Sequence, residues 1–126
     1  MDPAFGHLLG PGGEFGHREH IHLAWRELHD HEPGEALTRV EAAIRHLAAA
    51  HGEPEKFHRT ITAAWMALIA HHLHEAPELE FAAFVDRFPA LLDSRLLRRH
   101  FSAELIASPT ARERPLAPDL RPLPAR

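Results

Sequence analysis

Apolar residues in this chain recur at the spacing of a helical turn, and no stretch alternates apolar with polar in the manner of a strand. Ile21, Ala24, Trp25 and Leu28 stand at i, i+3, i+4 and i+7, which predicts a helix over 17–31. Pro33-Gly34 breaks the chain and restarts it. A second stripe, Leu37, Val40, Ile44 and Leu47, predicts a helix over 34–51, closed by Gly52. The third, Phe57, Ile61, Ala64, Trp65 and Leu68, predicts a helix over 54–75. It is the most apolar of the set and is expected at the centre. A shorter helix is expected over 78–88, carrying Phe81, Phe84, Val85 and Phe88 and stopped by Pro89. Asp93 or Ser94 can cap a further helix with Leu96, Leu97 and Phe101, and Ser102 opens a last turn with Leu105 and Ile106.

These elements predict an all-α, compact single-domain helical bundle of about four to six helices. Residues 1–15 are a Gly/Pro-rich arm, with Phe5, Leu8 and Leu9 to lay against the domain. Residues 16–108 form the helical domain. Residues 109–126 carry Pro109, Pro115, Pro118, Pro122 and Pro124, and are expected to be an extended tail held by Leu116, Leu120 and Leu123. The pattern Ile21-x-x-Ala24-Trp25-x-x-Leu28 recurs as Ile61-x-x-Ala64-Trp65-x-x-Leu68. Internal duplication and convergent helix packing both account for it. The tryptophans read as core anchors.

Composition agrees with a folded domain: 126 residues, 44% hydrophobic and 25% charged. A net charge of -4 argues against a nucleic-acid surface, which needs clustered cations. There is no cysteine, which excludes disulfides, thiolate metal sites and thiol nucleophiles. No apolar run reaches the ~20 residues of a membrane span, and no signal peptide is apparent, so the expected location is cytoplasmic.

Histidine changes the picture. There are 13, and three of them, His17, His20 and His22, fall within six residues. His17 lies in the apolar stripe of the first helix, His20 on its edge and His22 on the opposite flank. Short connections make successive helices antiparallel. An up-down-up arrangement then gathers the starts of the first and third helices with the end of the second. His17, His20, His51 and His58 meet at that end. A buried neutral imidazole has a donor and an acceptor to satisfy, and a metal ion satisfies several at once. His17, His20 and His58 are the expected ligands of one divalent transition metal, with His51 as a fourth member. Three protein ligands and an open position suit a catalytic site, and imidazole ligation fits zinc, copper or iron.

Glu19, Lys56 and Thr62 are the expected catalytic groups beside that metal. Lys56 is the only lysine. The spacings Glu14-x-x-His17 and Glu55-x-x-His58 also match the pattern of di-iron bundles. His71 and His72 fall near the far end of the third helix, where His31 could meet His72. They lie about 21 Å from His58 and cannot share its ion.

The resulting expectation is a small His-ligated metalloenzyme, hydrolytic, lyase-like or oxidative, acting on a small-molecule substrate. The alternative is a metal-free helical binding or accessory module that partners a larger enzyme. A second copy of the chain or another protein is expected to dock through the tail. Metal-free acid–base catalysis by His58 with Glu19 or Lys56 is a third reading.

His17-Arg18-Glu19-His20 with Ala24-Trp25, then Lys56-x-His58-x-Thr60-x-Thr62-x-x-Trp65, Leu91-Leu92-Asp93 and Asp119-Leu120-Arg121-Pro122-Leu123-Pro124 together resemble a group of small bacterial all-helical proteins of uncharacterised function. The resemblance runs from Phe15 onward. It implies one helical domain and a bacterial source, and it implies no activity.

Overall fold

A computed structural model describes residues 16–124. The expected N-terminal arm, including Phe5, Leu8, Leu9 and Glu14, lies outside the described residues. Six α-helices form among those described: α1 (His17–Asp30), α2 (Pro33–Ala50), α3 (Arg59–Glu75), α4 (Phe81–Arg87), α5 (Ala103–Ala107) and α6 (Pro109–Glu113). Three 3-10 turns join them, at Pro54–Lys56, Pro89–Leu92 and Leu96–Arg99. No described residue lies in a strand, and the fold is all-α.

Helix α1 begins where Glu19 reaches back: its Oε1 accepts the Gly16 N–H at 2.8 Å, the acidic half of a capping box. Helix α2 opens on Pro33, whose missing N–H costs nothing in a first turn. Gly52, at φ 71°, takes the left-handed conformation that ends it. The start of α1 and the end of α2 share one cavity, so these helices run antiparallel. The ends of α1 and α3 share another, so α3 returns parallel to α1. The up-down-up expectation holds.

The core lies where α1 packs on α2, α3, α4 and the Pro89–Leu92 turn. Ile21, Leu23, Val40, Ile69, Phe84 and Leu91 are almost fully buried. Each stabilises the fold by about 1.5–3 kcal/mol through burial of apolar surface. Trp25 is a core anchor, with its indole 5.7 Å from the Phe81 ring centroid and 6.4 Å from Phe84. Helix α3 is buried around much of its circumference, as its composition predicts. Helix α1 shares the centre with it, because Leu23 and Glu27 are buried in addition to the stripe. The buried Glu27 carboxylate accepts from Arg39 Nε of α2 at 2.5 Å.

Several expected boundaries shift. The helix expected over 54–75 is broken: Pro54–Lys56 is a 3-10 turn, Phe57 and His58 are extended, and α3 starts at Arg59. The cause is His58, whose Nδ1 accepts the Ile61 N–H at 3.1 Å and caps the helix. The segment with Leu96 and Leu97 is a 3-10 turn, and α4 begins at Phe81 instead of 78.

The tail departs most from expectation. Ser108 accepts the Ala111 N–H at 3.2 Å and starts α6 with Pro109 in the first turn, so residues 109–113 are helical. Beyond it the chain is extended and docked. Prolines supply no N–H, so the remaining groups do the holding. Leu116 N–H donates to Thr60 Oγ1 at 3.0 Å, and Leu120 N–H to the His100 carbonyl at 3.0 Å. His100 Nδ1–H donates to the Arg121 carbonyl at 3.0 Å. Asp119 accepts from the Ser102 hydroxyl and N–H, which holds its carboxyl below the usual carboxylate range. Leu123 packs on the core, whereas Leu120 is 59% exposed and does not.

Thr60 is the centre of this clasp. Its hydroxyl lies 2.7 Å from the Ala111 carbonyl and also accepts from Leu116. Thr60→Val keeps the volume and strands both partners, a cost of about 1–2 kcal/mol. Denaturant unfolding should show that loss, together with faster tryptic cleavage after Arg112, since the bond after Arg114 leads into Pro115 and resists trypsin. Unchanged stability and cleavage would show that the hydroxyl holds nothing.

Candidate functional site

The cavity shared by α1 and α2 has a volume of about 440 Å³. His17 and His20 form one wall, on successive turns of α1. Ile44, Leu47 and Ala48 of α2 form an apolar wall. His51, Glu53 and Lys56 close the rim just after α2 ends.

The chemistry of the rings follows from their partners. His17 Nε2 lies 2.8 Å from the Leu91 carbonyl. A carbonyl only accepts, so Nε2 carries the proton and Nδ1 is the acceptor nitrogen of that ring. The ring also packs on Trp65, with centroids 4.7 Å apart. His51 Nδ1 lies 2.8 Å from the Leu47 carbonyl, so its Nε2 is the acceptor by the same reasoning. His20 Nε2 is buried. Burial, and secondarily the charge of His17, push the His20 imidazole down from 6.5 to about 4. His20 is therefore neutral near pH 7. Two of the three histidines have their ring N–H committed to a backbone carbonyl, which fixes tautomer and orientation in the manner of ligating histidines.

The rim is charged. Lys56 Nζ pairs with Glu53 Oε2 at 2.5 Å, and this contact holds the ammonium above its ordinary value. Lys56 is thus a positive charge at the mouth and not a base. The other two expected catalytic groups do not line the cavity. Glu19 is occupied at the start of α1, and Thr62 is buried on α3.

His58 is not part of this wall. While Nδ1 caps α3, Nε2 lies 2.8 Å from the Ile106 carbonyl and donates to it. Both ring nitrogens are engaged, and the residue is buried as a strut between α3 and α5. The structure accordingly brings together His17, His20 and His51, and leaves His58 outside. It does not assemble His17, His20 and His58 as a three-ligand set. Among the described residues, the His, Asp and Glu group whose ligand atoms all lie within 4.8 Å of one another is His71, His72 and Glu75. That group sits at the other end of α3. Its signal in the sequence is His-His-x-x-Glu in a last helical turn.

His29, His46 and His74 are exposed, as expected. His22, expected to face outward, is half-buried and stacks on Phe81 at 4.1 Å between centroids. His31 stands beside Glu27 and Glu35, and not beside His72. Glu55 is exposed in a 3-10 turn, so the Glu55-x-x-His58 spacing is not presented on a helix. Glu14 lies outside the described residues.

No family model, curated protein or solved structure matches the chain. No helix among the described residues is long and apolar enough to cross a membrane.

Proposed function

We propose that the cavity between α1 and α2 binds a small, partly apolar molecule that presents hydrogen-bond donors or a positive charge. The observation that carries this reading is the placement of His17 and His20 of α1, with His51 just past the end of α2, around one space of about 440 Å³. That volume lies within the ~300–1,000 Å³ usual for small-molecule sites. With the His17 and His51 N–H groups turned to backbone carbonyls, acceptor nitrogens remain for a ligand's donors. Ile44, Leu47 and Ala48 supply the surface for its apolar part.

Size favours a molecule over a bare ion. Zinc with bonds of about 2.0–2.1 Å needs its ligand atoms about 3.3 Å apart. The three rings of this cavity are not so gathered. A metal-dependent reaction at this end would need His51 in place of His58, with its ring moved off the Leu47 carbonyl. If the chain is an enzyme, the ring nitrogens of His17 and His51 turned away from those carbonyls are the groups to take a proton from the bound molecule.

Benzamidine is a suitable probe, since it joins an apolar ring to cationic N–H donors. Titration followed by histidine ring NMR should show saturable shifts at His17, His20 and His51, with none at exposed His29, His46 and His74. His51→Ala should weaken binding about tenfold, the loss of one good polar contact. Shifts spread evenly over all the histidines, or no saturation, would sink the reading.

A further inference from the structure

The geometry points to a divalent transition-metal site at the C-terminal end of α3, formed by His71, His72 and Glu75. His71 Nε2 lies 3.0 Å from Glu75 Oε1, and His72 Nδ1 lies 3.2 Å from the same oxygen. Spacings of i, i+4 and i, i+3 bring both rings over one helical turn to the carboxylate. The three ligand atoms all lie within 4.8 Å of one another. An ion bound at about 2.0–2.1 Å by tetrahedral ligands needs edges of about 3.3 Å. The two distances to the carboxylate nearly match those edges, and the third edge, between the two rings, is within 4.8 Å.

The surroundings favour a cation. The last turn of a helix carries the negative end of its dipole. The His72 ring is stacked on Phe88, with centroids 4.3 Å apart and planes 23° from parallel, which limits its rotation. The His71 ring stands edge-on to it at 5.1 Å. At present each ring donates a proton to Glu75. On metal binding each imidazole carries its proton on the other nitrogen, and the carboxylate oxygen turns from hydrogen-bond acceptor to ligand.

Two imidazoles and one carboxylate suit zinc, and also nickel, cobalt or copper. All three groups are partly exposed, so the ion is reached from solvent and keeps at least one position for water or another ligand. The site is separate from the cavity between α1 and α2. From Arg59 to His72, α3 rises about 20 Å.

The test is calorimetric titration of the untagged chain with zinc chloride near neutral pH, alongside Glu75→Gln, His72→Ala and His51→Ala. One ion per chain should saturate the protein. Glu75→Gln, a surface change that keeps the fold, should weaken zinc binding at least tenfold. His72→Ala should weaken it further, and His51→Ala should leave it unchanged. Wild-type binding in Glu75→Gln, or no saturable uptake by the wild type, overturns the proposal. Loss in His51→Ala with retention in His72→Ala assigns the ion to the opposite end and overturns it equally. Circular dichroism of each variant separates lost ligation from lost fold.

Discussion

Acidification from about pH 7 to about pH 4 is expected to cost the fold roughly 3 kcal/mol through His20 alone. In the folded chain the imidazole is pushed down to about 4, against an ordinary value of 6.5. That gap of about 2.5 is worth some 3 kcal/mol at about 1.4 kcal/mol per pH unit. The sign follows from proton counting. Between the two values the unfolded chain holds a proton on His20 that the folded chain does not. Stability therefore rises with pH across this window. The contribution is fully present above about 6.5 and is lost as pH falls toward about 4. His72, also lowered by burial, adds in the same direction.

Thermal unfolding over a pH series checks this, with His20→Gln as the partner that does not titrate. The wild type should lose on the order of 10 °C more than the variant between about pH 7 and about pH 4. His20→Gln will shift the whole curve through its effect on packing. The slope is therefore the quantity to compare. Parallel curves for the two proteins would mean that His20 is not held neutral by burial.

How far the chain could be understood before its structure depends on which forces act locally. The stripes of α1 and α2 placed these helices within a residue or so, because burial of one face is written at a fixed period. Antiparallel packing follows from short loops, and it brought His17, His20 and His51 to one end as expected. What periodicity hides is a break that preserves it. Phe57 and Ile61 stand four apart whether or not the backbone between them is helical. Phe57 is buried in its extended position, with Arg45 over its ring at 4.7 Å. Nothing in the spacing marks the interruption, and histidine is not among the usual cap residues. The tail misled for a related reason. Prolines forbid a helix interior but suit its first turn, so Pro109 opens α6 where the residue count alone suggested coil. The site at His71, His72 and Glu75 required a different question, namely which polar side chains of a last turn meet one another. Apolar periodicity carries no answer to it.

His58→Ala is expected to be the most damaging single change among the histidines, at roughly 3 kcal/mol. Three losses add. The Ile61 N–H at the start of α3 loses its cap, worth about 1 kcal/mol. The Ile106 carbonyl loses its donor in a partly buried place, about 1–2 kcal/mol. The ring, 5% exposed, leaves unfilled volume beside α3 and α5. His58→Asn restores an oxygen acceptor at the cap but is too short to reach Ile106, and should recover only the first part. Denaturant unfolding of the three proteins orders them wild type, His58→Asn, His58→Ala. The same pair of variants separates a structural strut from a metal ligand. If His58 is a strut, zinc has the same effect on the melting temperature of His58→Asn as on that of the wild type. If His58 binds the ion, His58→Asn loses the zinc response while keeping the cap. The hydrogen bonds at both ring nitrogens favour the first result.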